Sequence, residues 1–198
     1  MFLPLIQKLE QEIRNIKTLD KMKNSANIKA LVLGLGLLSG MAFGQKITSN
    51  AVKTVVSGTS TLHDWKMTSE NGTFSGNVSG NAIQDIQYSM VSKSIKSGKG
   101  PMDTNAYKAM QADKYPNITF SASSINIGKG TMTGKLTVTN ITKTISLPVN
   151  VTKAGNTYTV WGSAAIKMTD FGVTPPSFMM NTVKTGNDIT ITVNAVAK

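Results

Sequence analysis

From Gln45 onward the chain alternates apolar and polar residues with a period of two, which confines it to extended strands that are dry on one side and wet on the other. Tyr158, Val160, Gly162, Ala164, Ile166 and Met168 share one face, opposite Thr157, Thr159, Trp161, Ser163 and Lys167. Ile145, Leu147, Val149 and Val151 repeat the pattern, as do Ile189, Ile191 and Val193. Turn chemistry punctuates the runs at Asn71-Gly72, Ser97-Gly98, Gly128 to Gly130, Thr139-Asn140, Ala154-Gly155-Asn156 and Gly186-Asn187. Strands are therefore expected near residues 52–60, 72–80, 84–95, 117–127, 130–139, 142–152, 157–168 and 188–196. No helix of 10 to 15 residues separates successive strands, so parallel βαβ units are excluded and an all-β antiparallel meander is predicted.

Two stretches break the rhythm. Residues 101–118 (PMDTNAYKAMQADKYPNI) predict a short helix near 103–113, with Asp103 as its cap and Pro116 as its stop. Residues 171–180 (FGVTPPSFMM) place a Pro-Pro pair beside consecutive apolar residues, which suits a loop tucked against one end of the sheet. The dry face must be hidden either by packing as a sandwich or by curling into a barrel. Periodicity alone leaves both open.

Residues 22–44 carry Lys23 and Lys29, an apolar run from Ala30 to about Met41, and small residues at Ala42 and Gly44 before Gln45. This is the layout of a secretory signal peptide, and the run is shorter than the roughly 20 apolar residues a bilayer span needs. Export to the periplasm or the medium is expected, with cleavage near Gly44 and Gln45 and a mature domain over 45–198. In residues 1–21, Leu5, Leu9, Ile13 and Ile16 recur at helical spacing. They read either as an amphipathic helix for a membrane or partner surface or, preferred here, as an extension upstream of a true start at Met22.

The formal charge of +11 raises the question of nucleic acid. The lysines are scattered, however, and the single arginine, Arg14, lies in the N-terminal extension, so no guanidinium of the mature domain can make bidentate contacts. A solvated basic surface with weak attraction to anionic membranes is expected instead. The chain has no cysteine, which removes disulfides and thiolate chemistry. His63, the only histidine, adjoins Asp64 and follows Ser60 by three, but neighbours on a strand point to opposite faces, and no GxSxG elbow is present. The carboxylates Asp103, Asp113, Asp170 and Asp188 lack metal-site spacing. No enzyme activity, metal or cofactor is expected.

Five segments in one order carry a resemblance: STLHDWKM (60–67), DTNAYKAMQADKYPNITF (103–120), GKLTVTNITKTISLPV (134–149), KMTDFGVTPPSF (167–178) and VKTGNDITITV (183–193). Over about residues 51–196 the chain resembles the YceI-like, lipid- or polyisoprenoid-binding family. The resemblance implies an extended, eight-stranded antiparallel, lipocalin-like barrel whose lumen takes a polyisoprenoid or another long-chain lipid. The inward faces then line the lumen through Met90, Phe120, Met132, Leu136, Val160, Gly162, Ala164 and Met168, with Phe178 and Met179 at its mouth. The small Gly134, Gly162 and Ala164 leave room for cargo, and the methionines suit a flexible tail or plain core filling. His63 and Trp65 are read as contacts to a ligand head or as turn-fixing groups. A homodimer is a further expectation. The competing reading is a non-catalytic structural or interaction β module of the cell envelope with a collapsed core.

Overall fold

The structure, a computed structural model, describes Gln7, Glu10, Gln11, Arg14 and residues 44–178 and 182–198. The chain divides into two units, Met1–Phe43 and Gly44–Lys198. In the first, the four described residues are helical, and Glu10 and Arg14, one turn apart, approach to 4.0 Å.

In the second unit the alternating segments become β1 (Gln45–Ser60), β2 (Trp65–Ser79), β3 (Ala82–Val91), β4 (Asn117–Asn126), β5 (Gly128–Val138), β6 (Ile141–Ala154), β7 (Thr157–Lys167), the two-residue β8 (Ser177–Phe178) and β9 (Val183–Ala197). Each of the strands β1 to β6 pairs antiparallel with the next, and β7 pairs with β9. β9 then returns to β1 from Lys53↔Asn194 to Ser60↔Thr185, closing an eight-stranded barrel with β8 as a short addition on β9. Closure removes the exposed edges that an open sheet of this length would present.

The predicted meander is realised, with local differences. β1 and β2 start at Gln45 and Trp65, seven residues before the expected 52 and 72. Asn71-Gly72 and Gly186-Asn187, read as turns, lie inside β2 and β9. At the first of these, β1 and β2 lose register around Ser49, Val52 and Thr54, so the polar pair sits at a bulge in a continuous ribbon. β3 ends at Val91 in a 3-10 turn at Ser92–Ser94, short of the expected 95. The helix α1 covers Gly100–Ala109, earlier than 103–113, because Pro101 occupies its first turn, where a missing N–H costs nothing. Asp103 is not its cap. Its carboxylate accepts hydrogen bonds at 2.7 Å from both the N–H and the hydroxyl of Ser97, tying the helix to the segment before it. The 171–180 stretch is irregular apart from β8 and follows a 3-10 turn at Met168–Phe171.

The two ends of the barrel differ. The turns at 79–82, 126–128 and 154–157 close one end, where Thr48 and Lys198 also exchange backbone hydrogen bonds at 3.0 and 3.1 Å. Here Ile47, Val52, Ile83, Val151, Tyr158 and Ala197 point inward and are at most 1% exposed. α1, the β1–β2 connection, the Thr139-Asn140 turn and β8 surround the other end.

Candidate functional site

Inside the barrel, between the packed end and the α1 end, lies a cavity of about 440 Å³. That is within the size range of small-molecule sites. None of the six packed-end residues lines it, so they form a floor. Eight strands enclose an interior only wide enough for side chains or for one slim ligand.

Of the residues expected to line a lumen, Met90 on β3, Phe120 on β4, Met132 and Leu136 on β5, and Val160, Gly162 and Ala164 on β7 all face this cavity. Met168, in the 3-10 turn, and Phe178, on β8, also line it. Met179 lies outside the described residues. Gly134 is a correction: a Cβ there would stand 2.3 Å from the Phe120 Cζ, so a neighbouring ring already fills the space that its missing side chain was expected to leave. At Gly162 a Cβ would come within 3.1 Å of Leu147 Cδ1, so the room beside it is narrow.

Several lining residues were not foreseen. Phe74, Ile86 and Tyr88 contribute from β2 and β3, and Val56 from β1. On β1 the signal is weak, because the inward Thr54 is polar while Val55, its neighbour, faces out of the lumen. α1 adds Met102 and Ala106, presented by a helix that Tyr107 anchors through a 2.8 Å hydrogen bond from its hydroxyl to the Ile95 carbonyl. Residues just before α1 are in turn bridged to β2 by paired backbone bonds between Thr68 and Lys96, at 2.7 and 2.9 Å.

At the mouth, His63 and Trp65 both line the cavity. The β1–β2 connection is held by Ser60, whose hydroxyl donates to the His63 carbonyl at 2.8 Å and accepts from the His63 N–H at 3.2 Å. The imidazole itself is 2.8 Å from the Asp64 carbonyl through Nδ1, so the Ser60 hydroxyl bonds the backbone of His63 and not its ring. Trp65 donates from Nε1 to the Thr59 carbonyl at 2.9 Å and lays its ring over Gly58, where a Cβ would clash at 2.5 Å. Leu62, 69% exposed, carries the lining out to the surface.

Among the described lining residues, the imidazole, phenol and amine side chains are those of His63, Tyr88 and Lys99, and His63 and Lys99 stand at the mouth. Deeper in, the polar side chains on the wall are Thr54 and Tyr88, whose hydroxyls lie 2.6 Å apart. Burial pushes the Tyr88 phenol up to about 12, outweighing the opposing effect of its bond to Thr54. Everything else at that depth is aliphatic, aromatic or thioether. Such a wall solvates hydrocarbon and excludes charge.

The family model for the YceI-like domain matches residues 41–197. Among solved structures, BcnA of Burkholderia cenocepacia superposes with a TM-score of 0.63 at 21% identity, over 74% of this chain and 96% of that one. A polyisoprenoid-binding domain from Saccharophagus degradans, implicated in plant cell wall breakdown, superposes with a TM-score of 0.61 at 10% identity, over 78% and 98%. No curated protein matches the sequence significantly. At these identities the superpositions establish the fold, and the match across nearly the whole barrel unit establishes the kinship: the chain belongs to the YceI-like domain family.

Proposed function

We propose that this protein is an exported, non-catalytic lipid-binding barrel that holds a long apolar chain, polyisoprenoid or similar, in its lumen. The observation that carries the reading is the cavity of about 440 Å³, walled by apolar side chains, floored at one end and reaching the surface at the other. Each methylene withdrawn from water into such a wall contributes about 0.8 kcal/mol, so a chain of modest length binds tightly without a strong polar contact. The family kinship and the polyisoprenoid-binding domain from Saccharophagus degradans support the choice of ligand class. The signal-like pattern of residues 22–44 supports export. Leu62, exposed beside the mouth in a domain whose residues 45–198 hold 15 lysines against 7 acidic residues, gives the opening a means of meeting an anionic membrane surface from which to draw cargo.

The direct test is titration with an environment-sensitive fluorescent acyl-chain probe. Wild type is expected to bind one probe per chain with a blue-shifted emission, and Ala164→Phe, which pushes a ring into the lumen, is expected to abolish the shift while keeping the β-sheet circular dichroism. Undiminished probe binding by folded Ala164→Phe would place the ligand outside the lumen.

A further inference from the structure

The hydroxyl pair of Thr54 and Tyr88 has no role in a purely hydrocarbon site, and its hydrogen count is uneven. Two hydroxyls carry two hydrogens, and their mutual bond at 2.6 Å uses one. Among the described residues neither side chain has another hydrogen-bond partner, which leaves one O–H without an acceptor there. Both residues line the cavity and both are buried, Thr54 at 2% and Tyr88 at 9% exposure. A buried donor left unpaired is costly, and such groups call for a partner.

The pair is also built deliberately into the barrel. Tyr88 stands on β3 and Thr54 on β1, with β2 between them. The phenol reaches across because β2 has Gly72 at the crossing point: a Cβ there would lie 2.9 Å from Val52 Cβ and 3.2 Å from Tyr88 Cε2. On β1, Thr54 is the last residue on the cavity wall, and the next inward residue, Val52, is part of the floor. The spare donor is therefore deep in the lumen, against the closed end.

We infer that the cargo carries an uncharged acceptor oxygen, of carbonyl type, near the end of its apolar chain that enters first, and that the Thr54–Tyr88 pair donates to it. This deepens the lipid-binding reading and rests on it. A carboxylate or phosphate is unsuited to this position, because among the described lining residues the only lysine or arginine, Lys99, is at the mouth. Among the described residues a single water at this depth would have only these two hydroxyls as partners, the fewest of the two to four that a buried water makes, whereas a cargo oxygen is also held by its apolar chain. The raised Tyr88 pKa keeps the phenol a donor throughout the physiological range.

The test compares delipidated wild type with Thr54→Val/Tyr88→Phe, using hexadecane, 2-hexadecanone and hexadecanoate as probes. Removing both hydroxyls together leaves no orphaned partner. The ketone-to-alkane affinity ratio is expected to fall by roughly three- to tenfold in the double variant, the share of one neutral hydrogen bond. In wild type, the infrared carbonyl stretch of bound 2-hexadecanone is expected below its frequency in liquid alkane, a readout that does not depend on the variant folding. An unchanged ratio with an alkane-like stretch overturns the inference and leaves the lipid reading standing. Preference for hexadecanoate over the ketone, with no dependence on the pair, overturns the assignment of an uncharged oxygen. Binding of none of the three probes overturns both.

Discussion

The two halves of this barrel are made from the same kinds of residue in the same alternation, yet one is solid and the other hollow. On β6, Val151 belongs to the floor, and Leu147, four residues away on the same face, lines the cavity. On β9, Ala195 and Ala197 are buried near the closed end, and Ile189, Ile191 and Val193 stay partly accessible along the lumen. The difference lies in what faces them. At the closed end, side chains such as Tyr158 and Ile83 are fully buried and border no cavity, while farther along, the inward residues form the wall of a void. Stability and the proposed function are thereby separated along one tube: a packed plug holds the closure, and an unfilled segment leaves room for a guest.

Truncation should expose that division most sharply. Tyr158→Ala, in the plug, is expected to cost about 3 to 5 kcal/mol of unfolding free energy, the range for deleting a buried aromatic side chain. Leu136→Ala, on the lumen wall, is expected to cost less than half as much, because the atoms removed already border empty space. Urea unfolding of the two variants measures both. Equal losses would erase the distinction between plug and lumen.

Alkaline pH probes the boundary between the regions. The Tyr88 phenol is raised from 10.0 to about 12, so the folded state retains a proton that the unfolded chain releases. Its contribution is fully present below pH 10 and is lost as pH rises toward 12, about 2 to 3 kcal/mol in all. The wild-type stability curve should therefore fall more steeply over that window than that of Tyr88→Phe. Parallel curves would mean that Tyr88 is solvated through the lumen.

Gly72→Ala tests the crossing beside the floor. A methyl 2.9 Å from Val52 Cβ forces the floor or the Tyr88 ring to shift, an overpacking cost of about 1 to 3 kcal/mol by urea denaturation. The smallest stability effect is expected for Ala164→Phe, under about 1 kcal/mol, since the new ring enters existing space in the lumen. Its effect on binding, by contrast, is expected to be complete.

The sequence made the strands and their faces legible wherever turns and alternation agreed, as on β6 and β7. It misled where a residue serves something other than the backbone turn it suggests. Gly72 looks like half of a hairpin turn but exists to let Tyr88 and Val52 approach β2. Asp103 looks like a helix cap but accepts from Ser97. Gly134 looks like open space until the ring of Phe120, on the paired strand, is seen to occupy it. Depth along the barrel is not encoded in a period of two, so neither the plug nor the Thr54–Tyr88 pair at its edge was visible before the strands were set in register. The lining residues on β5 and β7 were found because their alternation is clean.

The central claim is that the lumen beyond the plug is filled by an apolar guest. Native mass spectrometry of wild type and Ala164→Phe, each purified from the protein's own host without detergent, tests it most directly. The account predicts a discrete excess mass on wild type that organic extraction releases as lipid, and its absence from Ala164→Phe. A bare polypeptide mass for wild type, or the same excess on both proteins, would contradict it.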